Sequence, residues 1–343
     1  LFVNDENRFY ILAFMNSCVS QLYLNAMNAT MHYLVGNILT LPVIYKVHIS
    51  INKLVNNNIC ICCIDWDSYE NSWDFQNCPL IRPVSTIEES YNAWKNECND
   101  RFAQLKANEE ELNCIFIDIY GLQDELTPEV ADRDVTVHRV YDTKEDVPES
   151  MKGSNYVRTK RDEVVSLISY AVGCMFGRYS LDVPGLAYAG GEWDETKHVS
   201  FAADKDNIIP ICDDDYFADD IVGKFVRFIE AAYGSVNLEE NLSFIADALG
   251  GKGSAREIIR SYFLNGFYAD HCKTYQKRPI YWMFDSGKKN GFKALIYMHR
   301  YEPDTIARLR TDYVHEQQSR YRTAVENIEQ RISGASTGER VKL

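Results

Sequence analysis

The segment from Thr86 to Gly121 constrains the fold more than any other part of the sequence. Ser85 or Thr86 is a suitable N-cap, and acidic residues follow in the first turn, where they face the positive end of a helix dipole. No Gly or Pro then interrupts the segment before Gly121. The segment therefore predicts one long helix, and a chain with such an element is expected to be largely helical.

Further helical and extended segments are predicted on both sides of this helix. Residues 8–27 have apolar side chains at helical spacing, and an extended run follows that ends at Pro42. Residues 49–64 are ambiguous, because ISINKLVNNN fits a helix whereas ICICCI fits either a buried strand or the end of that helix.

The second half of the sequence favours more helices and one β-hairpin. Helices are predicted at 161–178, 221–233, 238–249, 254–267 and 304–332, and the fourth opens with a capping box of Ser254 and Glu257. Two apolar runs within 279–298 flank Asn290-Gly291, a pair that favours a hairpin turn. The predicted fold class is mainly α with small β elements (α+β).

Composition limits the class of protein. The chain has 343 residues, of which 46% are apolar, and its ten cysteines show no paired spacing. No apolar run approaches the roughly 18 to 20 residues that span a bilayer. These features predict free thiols, a cytoplasmic location and no membrane association. Because the sequence starts at Leu1 without Met and enters an amphipathic segment at once, we expect it to be part of a longer polypeptide.

Positive charge is concentrated in residues 277–322, which hold ten Lys or Arg against five acids although the whole chain has a net charge of −14. This asymmetry predicts a local surface for phosphate, and a solvated face balanced by acids elsewhere is the alternative. The first candidates for DNA-backbone contacts are Lys288 and Lys289 at the hairpin tip with Arg308 and Arg310 after it. The second candidates are Lys277, Arg278, Lys293, Arg300 and Arg320. Tyr281, Trp282 and Tyr297 lie among them, and core pairing is favoured over base stacking.

Motifs for catalysis are absent from the sequence. It has no GxGxxG, GxxxxGK[ST] or HExxH motif, and ALGGKGS at 248–254 is interpreted as a helix cap. Cys60, Cys62 and Cys63 are expected to be buried thiols of a strand rather than zinc ligands, since no second ligand cluster accompanies them. Asp182 with Glu195 and Lys197 is a short, weak match to a magnesium-dependent nuclease. No catalytic residue and no metal site is predicted.

Several long blocks, in one order, resemble a known family. They are residues 108–130, 168–182, 188–194 (YAGGEWD), 207–228, 241–253 and 277–318. Together they resemble the C-terminal region of adenine-specific DNA methyltransferases of the BREX phage-defence type (PglX), which are related to large single-chain type II restriction-modification methyltransferases.

The resemblance implies a bacterial protein in which a preceding methyltransferase domain binds S-adenosylmethionine and holds a flipped adenine with an Asn-Pro-Pro-Tyr motif. Neither that motif nor a cofactor turn occurs here, so no cofactor is expected in this chain. The implied division is the end of a target-recognition domain (residues 1–45), a helical connector (46–130) and a helical C-terminal domain (131–343). The implied function is a non-catalytic clamp on double-stranded DNA. The alternative is a protein-interaction module that docks other phage-defence proteins.

Overall fold

A computed structural model describes residues 7–27, 33–46, 48–287 and 290–334. Helices hold 56% of these described residues and strands 6%, which confirms the predicted mainly α fold with small β elements. The chain forms two compact units. The first unit contains residues Leu1–Phe75 and Tyr91–Glu163, and the second contains Gln76–Ser90 and Val164–Leu343. These units do not follow the functional division at residues 45 and 130, which stays a prediction.

Helices dominate the first unit. They are α1 (Arg8–Met15), α2 (Cys18–Met27), α3 (Val35–Leu39), α4 (Ile49–Asp67) and the greater part of α5 (Ile87–Tyr120). The helical segment predicted at 8–27 is interrupted at Ser17, whose hydroxyl donates to the carbonyl of Phe14 (2.7 Å) and accepts from the amide of Ser20 (3.3 Å). A hydroxyl that competes for backbone partners in this way ends one helix and caps the next.

Two sequence-based expectations for this unit need correction. The run ending at Pro42, expected to be extended, contains the short helix α3. The segment ICICCI belongs to α4 rather than to a strand, and Cys60 and Cys63 are exposed rather than buried. Helical packing prevails here because Ile51, Leu54, Val55 and Ile61 bury one face of α4.

The long helix α5 follows the sequence prediction at both ends. The hydroxyl of Thr86 accepts from the amide of Glu89 at 3.2 Å, and Glu88 and Glu89 lie in the first turn. The helix ends before Gly121, whose φ of +69° is a backbone conformation that favours glycine.

A small parallel pair of strands completes the first unit. Strand β1 (Arg139–Tyr141) pairs with β2 (Val157–Thr159), and the register aligns Val140 with Arg158. Buried side chains of α4, α5 and the β1 region form the nearby core: Ile61, Phe102, Leu105, Val135, Val137, Tyr141 and Met151. Three-residue strands have too few positions to show alternation, so the sequence analysis missed them.

The second unit combines helices with one antiparallel sheet. Its elements are most of α6 (Lys160–Phe176), β3 (Ile209–Ile211), α7 (Ile221–Tyr233), α8 (Leu238–Leu249), α9 (Ala255–Asn265), α10 (Phe267–Thr274), β4 (Tyr281–Asp285), β5 (Lys293–Tyr297), α11 (Thr305–Arg308), a π-helical segment (Leu309–Val314) and α12 (His315–Gly334). The strand order is β3-β5-β4. The predicted hairpin is therefore confirmed, whereas its third strand was missed.

The sheet positions the segment that was expected to bind phosphate. Strand β5 is central and buried along its whole length, and Leu295 pairs with both Ile209 and Met283. The caps of the neighbouring helices match their sequence signals: Asp220 accepts from the amides of Val222 and Gly223 at the start of α7. No helix in the described part of the chain is both long enough and apolar enough to cross a membrane.

Candidate nucleic-acid interface

The turn between α10 and β4 presents three exposed cations, Lys273, Lys277 and Arg278. Lys273 is in the last turn of α10, where a positive charge complements the negative end of the helix dipole. Gln276 and Lys277 then adopt left-handed backbone angles, with φ of 51° and 64°, and the amide of Lys277 donates to the carbonyl of Cys272 at 2.7 Å. This geometry reverses the chain within a few residues and keeps the three cations in one local segment.

These three side chains form no ion pair with any residue that the structure describes. A cation without a carboxylate partner keeps its full charge for an incoming anion. Lys277 and Arg278 were second candidates from the sequence. Lys273 was missed because the basic segment was counted from residue 277, although Lys273 lies only one helical turn earlier.

Arg308, at the end of α11, and Arg320 of α12 already have acidic partners. Arg308 is 2.6 Å from Glu302 and 3.1 Å from Asp304, and Arg320 is 3.0 Å from Glu316. Arg310 is exposed, and its Nε is 3.4 Å from His315 Nε2. Of these three arginines, Arg310 is therefore the best placed to bind a phosphate.

Lys293 and Arg300 already have partners within the second unit, and their role as phosphate contacts stays a prediction. Lys293 is 7% exposed, and its Nζ donates to the carbonyl of Leu264 at 2.8 Å. The Arg300 guanidinium lies 4.4 Å from the ring centre of Trp193 and donates to the carbonyls of Phe176 (3.2 Å) and Lys205 (3.3 Å). Both side chains are therefore less available to a polyanion than the exposed cations of the α10–β4 turn.

The hairpin tip falls largely outside the described residues. Lys288 and Lys289 lie outside the described residues, so their role as phosphate contacts stays a prediction. Next to them, Asn290 has a φ of 51°, as the Asn-Gly pair suggested, and the amide of Ser286 donates to the carbonyl of Phe292 at 2.9 Å. The two strands of the hairpin thus stay hydrogen-bonded as far as Ser286 and Phe292.

Two of the three aromatic residues that the sequence assigned to the core of the hairpin are buried there, and the third is exposed. Tyr281 and Tyr297 are fully buried, which confirms them as core residues. Trp282 is 51% exposed on β4, an edge strand within the described part of the sheet, and lies only four positions after Arg278. An exposed aromatic ring close to cations is typical of surfaces that bind single-stranded nucleic acid.

The candidate nuclease residues do not assemble. Both oxygens of Asp182 bind the loop at 199–200, and Oδ2 accepts from the amides of Val199 (2.7 Å) and Ser200 (2.9 Å). These hydrogen bonds hold the pKa of Asp182 below its usual value. Lys197 donates to the carbonyl of Ala187 at 3.4 Å, and Glu195 is exposed. The carboxylate of Asp182 therefore organises a loop rather than a metal ion.

Among the described residues, one group of carboxylates is close enough to share a cation. Oxygens of Asp204, Asp206 and Asp219 lie within 4.8 Å of one another. The Tyr313 hydroxyl is 2.8 Å from Asp206 and 2.6 Å from Asp219, and Lys224 is 2.8 Å from Asp204. Burial and a hydrogen bond with Asp204 raise the pKa of Asp206 to about 6. The hydroxyl of Tyr313 and the ammonium group of Lys224 thus already contact the carboxylates of this cluster.

The glycine-rich segment at 250–253 does not fit S-adenosylmethionine. Gly250 and Gly251 follow the end of α8, with φ of +74° and +138°, and Ser254 caps α9 directly afterwards. A cofactor turn instead connects a strand to a helix, so that helix amides meet the ligand. The interpretation of ALGGKGS as a cap is confirmed.

Known proteins similar to this chain point to one enzyme group. No family model matches the sequence. The chain is 46% identical over 331 residues to an adenine-specific methyltransferase, PglX, of Lacticaseibacillus casei (strain Zhang), and the match covers 93% of the chain. It is 35% identical over 356 residues to the adenine-specific methyltransferase BrxX of Escherichia coli O9:H4 (strain HS), with 99% of the chain covered.

The chain is a homologue of one region of PglX and BrxX. It spans 26% of the length of the first relative and 29% of the second. The resemblance inferred from the sequence blocks is therefore confirmed. Because PglX and BrxX are much longer than this chain, the activity in their names is that of the whole relatives.

Proposed function

We propose that this chain is the non-catalytic, DNA-contacting region of a cytoplasmic adenine-specific (N6) DNA methyltransferase used in restriction-modification or phage defence. The observation that carries the proposal is the exposed group Lys273, Lys277 and Arg278 in a homologue of PglX. Such contacts hold the DNA backbone and orient the duplex, and base reading belongs to other residues. In the full-length enzyme, S-adenosylmethionine would supply the methyl group from a site outside this chain.

Residues that contact the DNA backbone need a positive charge that is not already paired with a carboxylate. Phosphate affinity comes from cations that displace condensed counterions, and a cation that already pairs with a carboxylate displaces fewer of them. The net charge of −14 opposes binding over the general surface. The DNA contact is therefore local, made by the α10–β4 turn together with Arg310 and with Lys288 and Lys289 of the hairpin tip.

Two charge-matched variants test the proposal. The first carries Lys273→Gln, Lys277→Gln and Arg278→Gln. The control carries Arg256→Gln, Arg308→Gln and Arg320→Gln, which remove three cations that pair with acids. Both variants lose three positive charges from the same chain. Fluorescence anisotropy with a labelled duplex at low salt measures the affinity.

We expect the first variant to bind the duplex at least about tenfold more weakly than the native chain, because three phosphate contacts are lost. The control is expected to stay within about threefold, since its cations contribute little beyond their surface pairs. Equal losses in both variants would show that net charge alone governs binding. Undetectable binding by the native chain would reject the proposal outright.

A second function, docking of other phage-defence proteins, is favoured by exposed apolar residues in the first unit. Leu34, Val35, Leu39 and Ile49 are between 67% and 95% exposed within 16 residues of sequence. Side chains of this kind at such exposure are typical of contact surfaces. The variant Leu34→Ser, Val35→Ser, Leu39→Ser should abolish capture of a purified defence protein and leave duplex affinity unchanged. Unchanged capture would remove this alternative.

A further inference from the structure

The first unit contains an apolar cavity of about 290 Å³ between α1, α4 and α5. Its walls are chiefly apolar and include Leu12, Ala13, Val55, Leu105 and Leu112. This volume is close to the lower end of the range for small-molecule sites, about 300 to 1,000 Å³. The cavity lies within one compact unit and shares no residue with the α10–β4 turn.

Two pairs of amide contacts keep the cavity open. Asn108 of α5 donates to the side-chain oxygens of Asn57 and Asn58 of α4, each at 2.7 Å. Asn113 accepts from the amide of Cys18 at 2.9 Å, next to the break between α1 and α2, and donates to the carbonyl of Pro128 at 3.0 Å. Because these bonds tie α5 to α4 and to the start of α2, the space is preformed.

The carboxyl group of Glu109 lines this cavity without a partner. No cation or hydrogen-bond donor in the described part of the structure contacts it, and the cavity wall has no Lys, Arg or His. Desolvation, together with the neighbouring Glu110, raises the pKa of Glu109 to about 7. A partly desolvated carboxylate without a partner costs stability, and its place in the wall of a preformed cavity suits a ligand that compensates its charge.

We infer that the cavity binds a small organic cation, with an apolar body against the walls and an ammonium group paired with Glu109. Apolar walls alone would accept any hydrophobic molecule, whereas the single carboxylate selects one with a positive charge. Cys62 and Cys63 also line the wall, and burial raises the pKa of Cys62, so its thiolate does not compete for the cation at neutral pH. The inference is independent of DNA binding.

Paired probes test the inference on the full chain. The cation is 4-phenylbutylamine, and its neutral analogue is 4-phenylbutan-1-ol, which has the same apolar body. Isothermal titration calorimetry and ligand-observed NMR measure binding at pH 8. We expect the amine to bind at least about tenfold more tightly than the alcohol, because charge-assisted hydrogen bonds are the stronger kind.

Variants assign the selectivity to the carboxylate. Glu109→Gln should remove the preference for the amine while leaving alcohol binding intact, and Glu110→Gln should keep the preference. Ala13→Leu, which fills the cavity, should abolish binding of both probes. If Glu109→Gln does not fold, the pH dependence in the native chain provides the same test: amine affinity should fall several-fold from pH 8 to pH 6 as Glu109 takes up its proton, whereas alcohol affinity should stay constant.

Three results would overturn the inference. These are equal affinity of the native chain for amine and alcohol, retention of amine preference by Glu109→Gln, and no detectable binding of the amine at millimolar concentration. Each of them leaves the proposed DNA contact untouched, since Glu109 and the α10–β4 turn belong to different units.

Discussion

At the scale of single residues, the partner of a charged side chain decides what that side chain can do. The sequence shows ten cations in residues 277–322 but not their partners. The structure gives Arg308 two carboxylates, places Lys293 in the core and leaves Lys277 exposed. Burial and ion pairing depend on residues distant in sequence, such as Leu264 for Lys293, so composition alone could not separate these roles.

Glu109 gives a residue-scale prediction for stability. In the unfolded chain its carboxyl group titrates near the ordinary pKa of 4.5, whereas burial raises the pKa in the folded chain to about 7. The folded state therefore holds the proton more tightly, and the free energy of unfolding falls as the pH rises from about 4.5 to about 7. Above about pH 7 the folded chain carries the full cost of the buried, ionised carboxylate.

Glu109→Gln removes this penalty. At pH 8 the variant should be more stable than the native chain by up to about 3 kcal/mol, and at pH 4.5 the two should be nearly equal. Urea unfolding at both pH values, followed by circular dichroism, measures the difference, and Glu111→Gln, at an exposed residue outside the cavity wall, is the matched control. Equal stability of Glu109→Gln and native chain at pH 8 would show that water solvates the Glu109 carboxylate in the folded state.

At the scale of elements, local signals predicted helices better than strands. The Thr86 cap, the Gly121 end of α5 and the Ser254–Glu257 box all occur in the structure, because each signal and its partner lie within one helical turn. Strands β1, β2 and β3 have three residues each, and tertiary pairing rather than pattern stabilises them. The π-helical segment Leu309–Val314 inside the predicted final helix has no comparable sequence signal.

The α9 cap yields a prediction at this scale. Ser254 Oγ accepts from the amide of Glu257, and Glu257 accepts from the amide of Ser254 at 2.7 Å. Ser254→Ala should lower the free energy of unfolding by about 1 kcal/mol, whereas Ser254→Asp should largely retain it. Ser235→Ala, at an exposed serine outside any cap hydrogen bond, is the control in urea denaturation. A loss below about 0.3 kcal/mol in Ser254→Ala would mean that water replaces the cap at no cost.

At the scale of the whole molecule, an acidic chain is expected to approach DNA through a restricted surface. The net charge of −14 repels the duplex at long range, and salt screens this repulsion and the local attraction alike. The relatives are three to four times as long as this chain. Under the proposed function, this region contacts the DNA backbone and other parts of the full-length enzyme perform methyl transfer. The sequence blocks were sufficient for recognising the PglX likeness. Only the structure separated the exposed cations from those that are buried or paired with acids.

The slope of log K against log salt for duplex binding tests the proposed DNA contact most directly. The native chain should show a negative slope, and Lys273→Gln, Lys277→Gln, Arg278→Gln should reduce its magnitude by roughly 2 to 3, or about 0.9 for each lost phosphate contact. The control with Arg256→Gln, Arg308→Gln and Arg320→Gln should keep the native slope. An identical slope in the native chain and the first variant would contradict the assignment of the α10–β4 turn to DNA.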